Sequence, residues 1–198
     1  MSHAPLKTII ESLLFVSDLP VTLDRLCAIL EEHDRADIRE ALSRLCDDYD
    51  TGERGIRLAE VAGGYQLRSI PENADYIRRL SRSKTFRFSP SSMETLAIIA
   101  YRQPITRAEV EYLRGVDCGG VLKTLLDRKL VRILGKKDIP GKPLIYGTTR
   151  EFLEVFTLKN LASLPTLKEI QELVVADGGD RQVALPLEIP GSAENHEK

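Results

Sequence analysis

The sequence carries an internal repeat, and this repeat constrains the fold more than any other feature. A shift of 84 residues aligns Pro20-Val21-Thr22 with Pro104-Ile105-Thr106. The same shift aligns apolar positions around this motif: Leu14 and Phe15 with Ile98 and Ile99, Leu26 with Val110, and Ile38 and Leu42 with Leu122 and Leu126. Self-similarity at one spacing indicates that a supersecondary unit occurs more than once. The chain is therefore predicted to contain two tandem copies of one small domain.

The second copy begins with two overlapping helix-start signals. Ser89 before Pro90 supplies an N-cap with proline at the first helical position, and Ser91 with Glu94 offers a capping box. The apolar helix that follows ends at Arg102-Gln103-Pro104, because proline does not continue a helix. These signals predict the first helix of the domain.

The rest of the second copy predicts two more helices and a hairpin. Thr106 caps the second helix, which ends at Gly115. The third helix has an apolar face that comprises Val121, Leu122, Leu125 and Leu126. A β-rich run over Leu130–Leu134 and another over Leu144–Tyr146 flank a loop rich in Gly, Lys and Pro. Three helices followed by a hairpin predict a winged helix-turn-helix.

The first copy follows the same plan. Apolar periodicity predicts helices over Pro5–Val16 and Asp34–Tyr49, and Thr22 caps a helix between them. Alternating residues over Ile56–Val61 and Tyr65–Arg68, joined by two glycines, predict a hairpin in the position of a wing.

The predicted fold class is mainly α with small β-hairpin wings (α+β), in two tandem winged helix-turn-helix domains followed by a disordered C-terminal tail. The predicted boundaries are residues 1–80 for the first domain, 81–88 for a basic linker and 89–167 for the second domain. Residues 168–198 are predicted to form a helical extension, with one more helix possible over Lys168–Val175, and the disordered tail.

Composition limits the functions of this chain. Its net charge is −2 and its pI about 6.0, so it has no overall cationic excess for nucleic acid. Cys27, Cys46 and Cys118 lack C-x-x-C spacing, which favours buried reduced thiols over metal or redox chemistry. We find no signal peptide and no apolar run of about 18 residues, and expect a cytoplasmic protein without a membrane span.

Neither third helix is typical of a sequence-specific DNA reader. In the first copy it carries three arginines against six acidic residues, which repel phosphates: Asp34, Asp37, Glu40, Asp47, Asp48 and Asp50. Its counterpart in the second copy is only weakly basic and begins with Gly119-Gly120, which offers no side chain to base edges.

Two local basic patches remain. The first is formed by Arg78, Arg79, Arg82, Lys84 and Arg87. The second, in the wing of the second copy, contains Lys136, Lys137 and Lys142, together with Arg132. Each patch is either solvated surface or a weak, non-specific contact with DNA phosphates.

No constellation for catalysis is recognisable. The chain has no G-x-x-x-x-G-K-[ST] motif, and its histidines at positions 3, 33 and 196 are too scattered for a metal site or a catalytic triad. We therefore predict that the protein is not an enzyme and has no catalytic residue, no metal and no cofactor.

Surplus apolar and aromatic residues indicate protein–protein contacts. The first helix is apolar over more than one stripe, so part of it either fills the core or faces another chain. The candidates for a dimer interface are Ile9, Leu13, Phe15 and Val16. In the second copy, amphipathic side chains favoured at interfaces are candidates for contact with a partner peptide or helix: Tyr101, Tyr112, Arg114 and Tyr146.

Four long segments carry a family likeness: Met93–Glu109, Arg114–Leu122, Gly135–Thr149 and Leu164–Leu167. They closely resemble the family of segregation and condensation protein B, which often has Ser at the position of Cys118. The likeness is strong over Ser89–Leu167, moderate over Leu6–Leu80 and absent from the tail.

The resemblance implies a non-enzymatic, tandem winged-helix subunit of the bacterial structural-maintenance-of-chromosomes (SMC) complex. Such subunits homodimerise, largely through their N-terminal domains, and bind the kleisin, through which they act on the ATPase that condenses and segregates chromosomes. On this basis the protein is expected at the nucleoid. The kleisin contact is placed on Tyr101, Tyr112, Arg114 and Tyr146 as a hypothesis from their side-chain chemistry, not from the shared segments. The alternatives are a DNA-binding winged-helix transcriptional regulator and an RNA- or ribosome-associated adaptor that uses the Arg78–Arg87 patch.

Overall fold

The computed structural model describes residues 5–81, 88–166 and 169, which form two compact units. The N-terminal unit contains the described residues up to Ser81 together with Thr157–Pro165, and the C-terminal unit contains residues 88–156. The predicted tail, most of the predicted linker and the possible helix over Lys168–Val175 lie outside the described residues.

The N-terminal unit packs three helices and a hairpin around one aliphatic core. Its elements are α1 (Leu6–Val16), α2 (Leu23–Ile29), α3 (Arg35–Tyr49), β1 (Ile56–Val61), β2 (Gly64–Ser69), a 3₁₀ turn (Pro71–Asn73) and α4 (Ala74–Ser81). A second 3₁₀ turn (Leu161–Ser163) follows much later in the chain. Ile10, Leu26 and Ile38 are fully buried in the core. The antiparallel strands β1 and β2 form the predicted wing.

The C-terminal unit repeats this plan and adds a third strand. Its elements are α5 (Pro90–Arg102), β3 (Ile105–Thr106), α6 (Arg107–Arg114), α7 (Gly119–Asp127), β4 (Val131–Lys136), β5 (Leu144–Thr148) and α8 (Arg150–Val155). The sheet order is β3-β5-β4, so β4 is an edge strand. The predicted α+β fold class with two winged-helix units is confirmed.

Helix caps follow the sequence signals with one exception. Ser89 caps α5, and its hydroxyl accepts a hydrogen bond from the amide of Ser92 at 3.2 Å. The predicted capping box of Ser91 and Glu94 is wrong, because Ser91 already lies inside the first turn of α5. A complete capping box forms instead at α6, between Thr106 and Glu109.

The repeated Pro-[Val/Ile]-Thr motif performs the same two tasks in both units. Val21 exchanges two backbone hydrogen bonds with Tyr65 of the wing, at 2.9 and 2.8 Å, and the next residue caps α2. Ile105 likewise pairs with Tyr146 on β5, and the next residue caps α6. In each unit the Val or Ile of the motif pairs with the wing, and the Thr that follows caps a helix. This shared task explains why the three residues recur together.

Gly64 lies where the N-terminal wing meets this motif. A Cβ atom at Gly64 would lie 2.9 Å from the carbonyl carbon and oxygen of Val21, which cannot move without disturbing the Val21–Tyr65 pair. We expect Gly64→Ala to lower the free energy of unfolding by about 1–3 kcal/mol, as overpacking does elsewhere. Urea denaturation measures this change.

Gly120 in α7 provides the matched control, because no atom lies within 4 Å of a Cβ built there. Gly120→Ala should raise the free energy of unfolding by up to about 1 kcal/mol, as alanine favours helix. If Gly64→Ala were as stable as the wild type, the close approach to Val21 would be refuted.

The turn between β1 and β2 is covered by the segment Thr157–Pro165, which belongs to the same unit. Four polar contacts hold the segment. Two are backbone hydrogen bonds, in which the amides of Ala62 and Gly63 donate to the carbonyls of Leu158 and Lys159 at 2.8 and 3.0 Å. The other two join side chains: Lys159 pairs with Glu60 at 2.8 Å, and Arg68 Nη1 donates to Thr157 Oγ1 at 2.8 Å. The predicted division placed these residues with the second copy, whereas the structure groups them with the first.

Candidate interaction surfaces

The first candidate surface lies at the end of α1. Phe15, Val16 and Leu19 are 78%, 79% and 59% exposed, and we call these three residues the α1 patch. Grouped large apolar side chains in water mark interaction sites. Of the other predicted dimer residues, Ile9 and Leu13 are half-buried against the core of their own unit. Leu19 is not among the predicted dimer residues, because it lies in the turn after α1, outside the helical periodicity.

The second candidate surface lies at the end of α6. Tyr112 is 86% exposed, and Leu113 and Val116 are also exposed; we call these three residues the α6 patch. Tyr101, at the end of α5, is 43% exposed. Both tyrosines are predicted from the sequence, whereas Leu113 and Val116 are not, because single apolar residues near a helix end are more often core.

Arg114 lies beside the α6 patch in sequence, and its side chain is only 6% exposed. Its Nη2 atom donates to Ser91 Oγ at 2.9 Å and to Glu94 Oε2 at 3.2 Å. Its Nη1 atom is buried and has no acceptor within the described part of the chain. A buried donor without an acceptor lowers the free energy of unfolding by about 1–3 kcal/mol. Because this atom is closed to solvent, an acceptor from another molecule reaches it only when the side chains that cover it move.

Tyr146 is 7% exposed and lies opposite Ile105 in the sheet. Its side chain packs within the C-terminal unit, so it presents almost no surface to a partner. Its role as a contact stays a prediction, and the candidates with supporting geometry are Tyr101, Tyr112 and Arg114.

Glu109 joins the α6 capping box to the wing. Its Oε1 atom lies 2.5 Å from Lys137 Nζ, and its Oε2 atom accepts from the amide and the hydroxyl of Thr106, both at 2.8 Å. The hydrogen bond from Lys137, followed by those from Thr106, lowers the pKa of Glu109 to about 2. Lys137, a predicted phosphate contact, is thus already engaged by a carboxylate of its own unit.

This network predicts a pH dependence of stability. The pKa of Glu109 falls from 4.5 to about 2 on folding, so its ionised form favours the folded state above pH 4.5, and this contribution is lost as the pH falls from 4.5 to 2. We expect Glu109→Gln to lower the free energy of unfolding at neutral pH by about 1 kcal/mol, and its difference from the wild type to vanish near pH 2. Denaturation of both proteins between those pH values measures the effect; a constant difference would contradict it.

The predicted phosphate-contact residues fall into different environments. Three of them lie outside the described residues: Arg82, Lys84 and Arg87. Arg78 pairs with Asp75 on α4, and the Cζ atom of Arg79 lies 5.8 Å from the centroid of a tyrosine ring on the same helix. Lys136 and Lys142 are exposed on the C-terminal wing.

The cations of the N-terminal third helix are largely paired. Arg35 contacts Asp24 and Arg44 contacts Glu40, each at 2.6 Å, at the exposed face of α3. A phosphate would have to compete with these carboxylates. The pairing agrees with the prediction that α3 is not a DNA-reading helix.

No chemistry of metals or thiols emerges among the described residues. None of their His, Cys, Asp and Glu side chains form a group of three or more that could hold a metal ion. The three cysteines are free thiols, and burial raises the pKa of the Cys118 thiol, which makes it less reactive. No helix in the described ranges is long and apolar enough to span a membrane.

Two winged-helix units in one chain, each with an exposed apolar patch, define a protein of the tandem winged-helix class. The family model for "Segregation and condensation complex subunit ScpB" matches residues 8–167. The segregation and condensation protein B of Syntrophotalea carbinolica is 54% identical over 173 residues, which cover 87% of this chain and 87% of that relative.

Two further proteins are similar to this chain. The protein of the same name from Myxococcus xanthus is 52% identical over 173 residues, 87% of this chain and 52% of that relative. A crystal structure of ScpB from Mycobacterium tuberculosis is 34% identical, with a TM-score of 0.36, over 75% of this chain and 92% of that chain. The chain belongs to the family of segregation and condensation complex subunit ScpB, a family of non-catalytic subunits.

Proposed function

We propose that this chain is the homodimeric, kleisin-binding subunit of an SMC complex that condenses and segregates chromosomes during cell division. The observation that carries the proposal is the family match over residues 8–167, which spans both winged-helix units. The protein acts in the cytoplasm, at the nucleoid, and reaches the SMC ATPase through the kleisin.

The α1 patch supports dimerisation through the N-terminal unit. A large apolar side chain contributes about 1.5–3 kcal/mol when it is removed from water, and Phe15 and Val16 are almost fully hydrated in the isolated chain. A twofold dimer uses the same patch on both copies, so the patch on one copy meets its own equivalent.

The α6 patch and Arg114 support kleisin binding by the C-terminal unit. A kleisin helix that lays its apolar face on Tyr112, Leu113 and Val116 would bury them, as amphipathic helices do in apolar grooves. When the side chains that cover Arg114 move, the same segment can bring a carbonyl or carboxylate oxygen to Nη1, which has no acceptor in the described residues. Tyr and Arg are the residue types that most often dominate interface energies.

Affinity purification of the tagged full-length protein from its host tests this function. We expect a kleisin and an SMC ATPase to co-purify with it. Enrichment of one operator sequence without these proteins would favour a transcriptional regulator, and enrichment of RNA would favour an RNA-associated adaptor. Either result would overturn the proposal.

A further inference from the structure

The two units of this chain differ in the sign of their charge. Residues 5–81 contain ten Lys and Arg against fifteen Asp and Glu, whereas residues 88–156 contain eleven against eight. Ion pairs within the C-terminal unit engage five of its carboxylates: Glu94, Glu109, Glu111, Asp117 and Glu154. Six exposed cations of the unit form no ion pair in the described residues: Arg102, Lys123, Lys129, Arg132, Lys136 and Lys142.

Three cations of this unit surround one surface depression. Lys129 reaches it from the turn after α7, Arg132 from β4 and Arg150 from the start of α8. The other lining residues are Leu126, Val131, Thr149 and Glu151. Arg150 is paired with Glu154 at 3.2 Å, so Lys129 and Arg132 face the single carboxylate of Glu151 in the depression. This is a setting that favours an anion.

The backbone at Lys129 is held in a fixed turn. Its φ is +57°, a left-handed conformation that glycine adopts without strain and lysine does not. Thr149 holds the turn, because its hydroxyl donates to the carbonyl of Lys129 at 2.5 Å and its amide donates to the carbonyl of Leu130 at 3.2 Å. The turn thereby fixes the point from which the Lys129 side chain leaves the backbone, beside the depression.

The positive surface continues along the edge of the sheet. Strand β4 carries Arg132 and Lys136, with a β-bulge between Ile133 and Gly135. The two cations pair with Gly147 and Leu144, three residues apart on β5, which places them roughly 10 Å apart along the edge. One strand of DNA has a phosphate about every 3.4 Å along the helix axis, so such a pair spans several phosphates. Because β4 is an edge strand, its outer side is not paired with another described strand.

We propose that Lys129, Arg132 and Lys136 form a track that binds the phosphates of duplex DNA without reading its sequence. This goes beyond kleisin binding and assigns a DNA contact to the C-terminal unit. A single strand is a poorer fit, because proteins bind it by stacking bases on aromatic rings, and no aromatic residue lines the depression or lies on β4. The track lies on β4 and the turn before it, not on the helix that reads bases in sequence-specific relatives of this fold.

Binding of the full-length protein to a labelled duplex of about 30 base pairs, at roughly 50 and 200 mM salt, tests the proposal. Each cation that contacts a phosphate contributes about 0.9 to the slope of log affinity against log salt. The triple variant Lys129→Gln, Arg132→Gln, Lys136→Gln should lose about 2.7 of that slope and at least about tenfold in affinity at the lower salt. The charge-conserving variant Lys129→Arg, Arg132→Lys, Lys136→Arg should keep most of the salt dependence and most of the affinity.

A matched control removes three exposed arginines from the N-terminal unit: Arg25→Gln, Arg39→Gln and Arg57→Gln. This variant has the same net charge as the triple variant and should bind the duplex like the wild type. A second control, Lys129→Gly, should weaken duplex binding while its thermal midpoint stays equal or rises, because glycine suits the backbone at this position.

Three results would overturn the proposal: no duplex binding by the wild type at the lower salt, an equal loss in the matched control, or tighter binding to single-stranded than to duplex nucleic acid. The triple variant should capture the kleisin as the wild type does. A failure of the DNA-binding proposal can therefore be distinguished from a failure of the proposed kleisin-binding function.

Discussion

Phe15→Glu together with Val16→Glu should convert the proposed dimer into a monomer. Each glutamate removes about 1.5–3 kcal/mol of apolar burial on each copy, and the new charges repel one another across the twofold axis. A loss of about 6 kcal/mol corresponds to a roughly ten-thousand-fold weaker dimer. Both side chains are more than three-quarters exposed in the isolated chain, so the fold of the N-terminal unit should persist.

Sedimentation equilibrium, with circular dichroism to verify folding, measures this effect. Ser12→Glu is the control, since Ser12 is also exposed on α1 but lies outside the α1 patch. A folded double variant that remains dimeric would place the dimer interface elsewhere.

The second prediction with a large expected effect concerns the affinity for the kleisin. Tyr112→Ala should weaken kleisin capture by about 30-fold or more, the equivalent of roughly 2 kcal/mol for a central aromatic contact. Arg114→Met should weaken capture as well, because a kleisin acceptor would lose the Nη1 donor. In the free protein the same change removes the acceptor-less Nη1 together with the Nη2 hydrogen bond to Ser91, and it leaves Glu94, which is 62% exposed, in contact with water. Its thermal stability should therefore stay near that of the wild type.

Calorimetric titration of the full-length protein with purified kleisin separates these outcomes. Tyr76→Ala provides a control, as Tyr76 is 70% exposed on α4 of the N-terminal unit. If Tyr112→Ala and Arg114→Met bound the kleisin with wild-type affinity, the contact would have to lie outside the end of α6. A strong loss of stability in Arg114→Met would instead indicate that the guanidinium serves the fold.

Helix starts were largely predictable because they depend on residues three or four positions apart. Thr22, Ser89 and Thr106 each cap a helix as the sequence predicts. The prediction failed where two signals overlap, since one helix has only one N-cap and Pro90 at the first helical position favours Ser89 over Ser91. The short strand β3 was missed because its partner, β5, lies about 40 residues away.

The candidate surfaces were predictable by residue type but not by exposure. Tyr112 and Tyr146 have the same chemistry, yet one is exposed and the other is packed inside the unit, because exposure depends on tertiary packing. Lys137 belongs to a basic run in the sequence, but Glu109, distant in the chain, neutralises it in the fold. The acceptor-less nitrogen of Arg114 also has no signature in the sequence.

The segment over the N-terminal hairpin has a consequence for the order of synthesis. The ribosome makes Thr157–Pro165 only after more than seventy further residues have followed Ser81, which takes roughly 4–15 seconds at 5–20 residues per second. Until then the amides of Ala62 and Gly63 are without the carbonyls of Leu158 and Lys159. The N-terminal unit thus begins to fold first and is completed last.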